Sequence, residues 1–391
     1  MERSSQPEAS RADARAAADT GHILVDRELR AAVADARQGA VRVAAGAPAV
    51  APDQVQPASL DLRLGAVAYR IRSGFLPERT PVSERLAELA TAELSLEGGG
   101  AVLERGLVYL VPIEEELDLP AEVWGRFNPR SSTGRCDVFT RVLVPGHPSF
   151  DETPAGYRGK LWLEIAPLSF PVRLARGDRL TQLRLQRGAA RLTRQELRVR
   201  YNETPLCYEG ERPIDEEDVR IDEDGGLLLR VGLAGRSPCA WRAALGTDVV
   251  SFGAEDAHPA EDFWEPVHAK IDHCVLEPGR FYIFASRERI VIPPDLAAEM
   301  LPVDVGIGEL RNNYAGFFDP GFGWREAEPR GTPAVLEVRA HDVPFLIEEG
   351  QVFFRLRFFR TSGRPDVLYG EGRVRSYGDQ DLTLGRMFRG D

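Results

Sequence analysis

The chain has 391 residues, 43% of them apolar and 28% charged, enough for two domains with cores of their own. A net charge of −12 excludes a nonspecific nucleic-acid binder, which needs a basic face, and implies that an anionic ligand arrives with a cation such as Mg²⁺. No apolar run approaches the length of a membrane-spanning helix, and four scattered cysteines without a C-x-x-C argue against a zinc knuckle or disulfide framework and for a reducing cytoplasm. Residues 1–20, rich in Ala, Ser, Arg and Asp, read as a disordered leader rather than a secretory signal. Asp26 predicts a helix start, with the helix running through Gln38 and Leu29 and Val33 on one face. Short β-like runs follow at Leu60–Leu64, Leu107–Val111, Val138–Val144, Leu161–Ile165 and Leu180–Leu185. Turn sequences such as Glu97-Gly98-Gly99-Gly100 and Arg176-Gly177-Asp178 punctuate them. Nine of the sixteen residues from Glu209 to Asp224 are acidic, which marks a solvated linker over 213–225 between a domain at 21–212 and another at 226–391. The second half repeats the pattern at Phe281–Phe284, Val335–Val338 and Val352–Phe359. Many short strands with few helices predict a mainly β protein built of barrel-like or jelly-roll-like domains.

The two halves are copies. Val102-Leu103-Glu104 with Gly106 and Tyr109 matches Val275-Leu276-Glu277 with Gly279 and Tyr282, and each partner lies 173 positions on. The same offset pairs Leu163-Glu164 with Leu336-Glu337, Pro171 with Pro344, Gly177 with Gly350 and Leu183-Arg184 with Leu356-Arg357. A colinear series of this length is a tandem duplication, so both halves share a fold.

One stretch concentrates chemistry. Asn128-Pro129-Arg130-Ser131-Ser132-Thr133-Gly134-Arg135 sets two guanidiniums and several hydroxyls around a glycine, which suits a phosphate chain. Glu164 is a lone carboxylate in the apolar run Leu161-Trp162-Leu163-Glu164-Ile165, as a paired structural group or as a proton-transfer group with a raised pKa. The second half has lost the first of these features. Pro302-Val303-Asp304-Val305-Gly306-Ile307-Gly308 stands where the arginines and serines should be, with an aspartate that repels phosphate. It keeps Glu337 and the hairpin Phe317-Phe318-Asp319-Pro320-Gly321-Phe322.

Ser131-Ser132 with Arg135 resembles the phosphate motif of the dCTP deaminase branch of the dUTPase-like superfamily. Gln56-Pro57-Ala58-Ser59-Leu60-Asp61-Leu62-Arg63-Leu64-Gly65 is similar to its first signature, and Phe150-Asp151, Gly156-Tyr157-Arg158-Gly159, Leu163-Glu164, Phe170-Pro171-Val172 and Gln182-Leu183 follow in the family's order. The resemblance implies two tandem distorted β-barrels, trimeric association of first domains, and hydrolytic deamination of dCTP to dUTP and ammonia. Zinc deaminases carry H-x-E and P-C-x-x-C; no histidine here precedes a glutamate by two, and Pro238-Cys239 lacks a second cysteine, so a zinc-free route is expected. By resemblance, Glu164 shuttles protons while Ser131 and Arg135 position water; Arg130, Ser132, Asp151, Tyr157 and Gln182 bind substrate. Three extra residues separate Asp151 from Gly156-Tyr157, against the family pattern, and Asp151 also reads as a turn former. Gln182 equally ends a strand.

In the family the grip and the glutamate come from neighbouring subunits. If first domains pair with each other, Glu164 of another chain completes the site, in oligomers of a multiple of three chains; this is the favoured arrangement. If the halves pair, Glu337 and Asp319 complete it instead. Tyr208-Glu209-Gly210-Glu211 and Tyr369-Gly370-Glu371-Gly372 both resemble the start of the family's closing tail. Mg²⁺ is expected on the triphosphate, dTTP is the expected inhibitor, and no nucleic acid or membrane partner is expected. The competing functions are a dUTP diphosphatase, a bifunctional enzyme yielding dUMP, and a noncatalytic nucleotide-binding regulator.

Overall fold

The computed structural model describes residues 21–35, 38–302, 310–311, 316–326, 330–340, 342–371, 377 and 381–389. The expected leader and the 303–308 counterpart of the phosphate motif lie outside these residues. In the first half the elements that matter are α1 (Asp26–Val33), β1 (Leu60–Leu62), β2 (Val67–Ile71), β3 (Ala90–Ser95), β4 (Val108–Asp118), β5 (Val123–Pro129), the short α2 (Ser131–Arg135), β6 (Val138–Leu143), β7 (Arg158–Pro167) and β8 (Thr181–Arg187). One sheet runs β3-β2-β4-β7-β6; a second gathers β1 and β5 on either side of β8. In the second half, α3 (Arg194–Glu203) precedes β9 (Gly226–Arg230), β10 (Phe281–Ile290), β11 (Leu296–Pro302), β12 (Phe317–Phe318), β13 (Thr332–Ala340) and β14 (Val352–Arg360). Here β9, β14, β11 and β12 form one sheet in that order, and β13 pairs with β10 in another. The architecture is the mainly β, two-barrel form expected.

Helix α1 is shorter than its apolar spacing predicts. Val25 holds the cap position and Asp26 is the first helical residue. The Asp26 carboxylate accepts from Arg27 N–H (2.8 Å) and Arg30 (2.9 Å), and also from the N–H groups of Asp366 and Val367 (3.0 and 3.2 Å) in the second half. A tertiary tie has taken the place of a cap.

The duplication shows in the register. Glu164 on β7 stands opposite Leu110, and Glu337 on β13 stands opposite Ile283. Likewise Leu183 faces Phe127 and Leu356 faces Met300. Each partner is displaced by the offset seen in the sequence.

The halves share buried surface. The apolar cluster of the first barrel, built on residues such as Leu110's neighbours Tyr109 and Val111, takes in Phe263, Trp264, Phe281, Met387 and Phe388 from the second. Leu192, Leu197, Tyr201, Leu206 and Cys207 pack in the second barrel's cluster, so the core changes hands well before the acidic stretch. Between the barrels, Glu299 Oε1 accepts from Asn128 Nδ2 and Arg184 Nη2, both at 2.9 Å, and from Arg126 Nε at 3.3 Å. Burial raises the Glu299 carboxyl, but Arg184 and Arg126 outweigh it and hold it below its ordinary value. The Arg184 guanidinium lies 4.5 Å from the ring centre of Phe317. No helix among the described residues is long and apolar enough to cross a membrane.

Candidate active site

Pro129 has no N–H to donate, and β5 ends there. The chain is nevertheless held to the neighbouring strand: Arg130 N–H donates to Leu180 O at 2.9 Å and Thr133 Oγ1 to the same oxygen at 2.8 Å. The single turn of α2 follows, with Gly134 N–H donating to Arg130 O at 3.1 Å. Ser131 faces outward, while Ser132, Thr133, Gly134 and Arg135 are buried. Arg130 Nε lies 3.2 Å from Asp61 Oδ1. Arg135 donates to Thr383 O at 2.9 Å, and its guanidinium stacks 3.7 Å from the ring centre of Tyr377. Ser132 Oγ and Tyr377 Oη are 3.2 Å apart.

The opposite wall comes from the second half. Strand β13 lays Glu337 against α2 so closely that a Cβ on Gly134 would stand 2.3 Å from Glu337 Oε2. Only a glycine leaves that room. Asp319, just past β12, accepts from Ala58 N–H at 2.8 Å and lies 3.4 Å from Ser59 Oγ, which donates to Gln182 Oε1 at 3.1 Å. Asp61, Arg130, Arg135, Asp319, Glu337 and Tyr377 line a cavity of about 340 Å³, to which Gln56, Met300, Phe317, Tyr369 and Arg386 also contribute. Its volume is of the order found for small-molecule sites.

Three carboxyls lining the cavity are displaced upward. Burial pushes Glu337 up to about 8, against the pull of Arg135 and with help from the charge of Asp137. Burial pushes Asp319 to about 7; the Ala58 N–H opposes this and nearby Asp61 adds to it. Burial raises Asp61 as well, against Arg130, Arg179 and Arg386. A carboxyl titrating near neutrality can both give and take a proton.

Of the residues singled out by sequence, the cavity gathers Arg130, Ser131, Ser132, Arg135 and Gln182 with Asp319 and Glu337. Glu164, Asp151 and Tyr157 lie outside it. Glu164 is 2% exposed and accepts from Arg141 Nε at 2.8 Å, while the chain's own Gly74 presses on its other oxygen. Its charge is already matched and its strand face already covered. Asp151 is a turn anchor, with φ of 62° and its Oδ1 accepting from Val142 N–H at 2.7 Å. Tyr157 donates to Lys160 O at 2.9 Å, bracing its own hairpin. Of the two tail candidates, Tyr369 lines the cavity and Tyr208 pairs with Arg289 in a ladder. Sequence reasoning missed Tyr377 and Arg386, which reach the site from almost 250 residues beyond Arg135 and carry no motif.

Residues 21–189 match the family model for the 2'-deoxycytidine 5'-triphosphate deaminase N-terminal domain, and residues 193–388 match that for its C-terminal domain. A crystal structure of 2'-deoxycytidine 5'-triphosphate deaminase from Agrobacterium tumefaciens is 41% identical, with a TM-score of 0.78 over 89% of this chain and 100% of that one. A dCTP deaminase of Natronomonas pharaonis is 33% identical over 132 residues, 33% of this chain and 65% of the relative's own length. A dUMP-forming dCTP deaminase of Rhodococcus jostii is 29% identical over 169 residues, 42% of this chain and 80% of the relative. The chain belongs to the dCTP deaminase family.

Proposed function

We propose that the protein hydrolyses dCTP to dUTP and ammonia at the cavity between its two halves, with Glu337 as the proton-transfer group. The observation that carries this reading is the meeting of the phosphate-type turn, Arg130 to Arg135, with a buried carboxyl in one cavity of a single chain. The triphosphate, arriving with its Mg²⁺, is gripped by Arg130, Ser131, Ser132 and Arg135. The base enters toward Phe317, Asp319 and Glu337. With a carboxyl near 8, Glu337 is mostly protonated at neutral pH and supplies the proton to N3 of cytosine as water adds at C4. The carboxylate so formed takes a proton from the adding water. Passing that proton to the exocyclic amine expels ammonia, and the carboxylate then takes the remaining C4 hydroxyl proton as the uracil carbonyl forms, which restores the protonated Glu337. Arg135 lies beside the developing charge and favours it.

The deciding experiment supplies dCTP and Mg²⁺ to the purified protein and follows ammonia and nucleotide products, alongside Glu337→Gln and Glu164→Gln. Ammonia release lost in Glu337→Gln and kept in Glu164→Gln is the expected outcome. The reverse pattern moves the site to Glu164 of a neighbouring chain, and no ammonia from the wild type ends the catalytic reading. Pyrophosphate in the same assay reports whether the product is dUTP or dUMP. We expect dTTP to compete for the same phosphate grip, which inhibition kinetics measure; a multiple of three chains is the expectation if first domains pair with each other, and light scattering measures whether it holds when the halves pair within one chain.

A further inference from the structure

Glu337 and Arg339 are two apart on β13, so both side chains leave the same face of the strand, about 7 Å apart. That face looks onto α2 and its exit. Glu337 meets Gly134, and Arg339 reaches Asp137, three residues further along the turn. Asp137 is completely buried and left-handed, with φ of 52°, a conformation that costs a non-glycine residue about 1 kcal/mol or more. It is held there by its N–H to Gly134 O at 2.8 Å and by Ser169 Oγ, which donates to its carboxylate at 2.6 Å. The Arg339 guanidinium spans Asp137 and the Gly279 carbonyl, and also lies 3.3 Å from Ser169 Oγ. A forked cation is thus pinned between the two barrels one strand step from the reacting carboxyl.

We propose that Arg339 and Asp137 are positioning residues: their buried ion pair sets the register of β13 on the exit of α2 and so holds the Glu337 carboxyl over Gly134. The inference rests on the assignment of Glu337 made above. Strand β13 has no hydrogen-bonded ladder to α2, so side chains must fix this approach. The Asp137 charge also acts on the Glu337 carboxyl, and Arg339 places a cation beside it on the same strand face. The charged and titratable groups nearest its carboxyl are Arg135, Cys136 and Asp137 from α2 and its exit, with Arg339 on its own strand. Asp319, Tyr377 and Arg386 face it across the cavity.

The test compares Arg339→Gln, Arg339→Lys and Asp137→Asn in kcat, KM and the pH limb of kcat that Glu337→Gln abolishes, with thermal unfolding recorded for each. Arg339→Gln and Asp137→Asn break the same pair. If the pair positions Glu337, both lower kcat by about 30-fold or more while KM for dCTP stays within about threefold, because the phosphate grip is untouched. Their limbs move in opposite directions by about half a unit or more. Losing the cation moves the limb to higher pH, and losing the anion moves it to lower pH. Arg339→Lys keeps the charge without the fork, so its limb stays near wild type while kcat falls part of the way. A merely structural pair would lower stability in both variants without opposed limb shifts. Limbs moving together or not at all, with kcat within about threefold of wild type, overturn the proposal. Should Arg339→Gln fail to fold, the test rests on Asp137→Asn moving the limb to lower pH with a large loss of kcat while Arg339→Lys loses kcat in part with its limb in place; kcat within about threefold of wild type in both overturns the proposal. If the wild type releases no ammonia, the reading of function fails; the proposal is then judged by ¹³C-carboxyl NMR titration of Glu337 in these variants.

Discussion

A methyl group added at Gly134 would stand 2.3 Å from Glu337 Oε2, and one added at Gly74 would stand 2.3 Å from Glu164 Oε2. Neither glycine is left-handed, so alanine strains no backbone; at Gly134 it meets the Glu337 carboxyl, and at Gly74 it meets both Glu164 and Arg141. Gly134→Ala is expected to lower kcat by about 10- to 100-fold, since a displacement of about 1 Å is enough, at a stability cost of roughly 1–3 kcal/mol. Gly74→Ala displaces the Glu164–Arg141 pair instead, and is expected to cost roughly 1–3 kcal/mol of stability with kcat kept. Steady-state kinetics and thermal melts on the two variants distinguish the two glutamates without touching either. A second consequence concerns pH. The Glu337 carboxyl rises from its ordinary 4.5 to about 8 on folding. Between those values the folded chain holds a proton that the unfolded chain has lost, so this group's contribution is complete below about pH 4.5 and declines as pH climbs to about 8. Glutamine does not titrate. The melting temperature of ligand-free Glu337→Gln should therefore gain on wild type progressively from pH 5 to pH 8. A constant difference would show that the carboxyl is not desolvated.

Among the elements, the hairpin before β7 has changed employment. Asp151 accepts from Val142 N–H and gives its own N–H to Val142 O at 3.1 Å, closing a turn in a conformation that Asn also tolerates. Asp151→Asn is expected to be mild and Asp151→Ala to cost about 1–2 kcal/mol in chemical denaturation, with KM for dCTP unchanged in both. A raised KM would return Asp151 to the substrate site. Its role shows how far the sequence could be read. The strands around Glu164 and Glu337 were legible because each is an apolar run broken by one carboxylate, and the repeat then carries register from one half to the other. The phosphate turn was legible because its residues are contiguous. What sequence could not supply was which barrel's glutamate meets that turn. That choice depends on a loop at Gly74 folding over Glu164, and on side chains such as Arg339 that reach Asp137 from 202 positions away. The expected extent of α1 failed at its far end, where Ala34 N–H closes onto Ala31 O and the Asp35 carboxylate takes the Gln38 N–H at 3.0 Å, a local turn that apolar spacing does not report.

Across the whole molecule, the halves meet at a charge that the duplication reversed. Arg126 and Glu299 occupy equivalent positions in the two copies and lie 3.3 Å apart. Identical copies would have set like charges together there. Arg184 is fully buried behind them, so Glu299→Ala leaves an uncompensated guanidinium and is expected to cost roughly 3–5 kcal/mol. Scanning calorimetry should show the loss in one shared transition, because the first apolar cluster already contains Trp264 and Phe388 of the second half. Two separate transitions would mean that the barrels melt independently. The fusion also changes what dilution can do to the catalyst. A site assembled from separate subunits falls apart below its dissociation constant, whereas Gly134 and Glu337 are tethered through one polypeptide and meet at an effective concentration that the solution does not set. With the encounter guaranteed by the tether, selection could relax on the second phosphate turn, and Asp304 stands where a serine once answered to it.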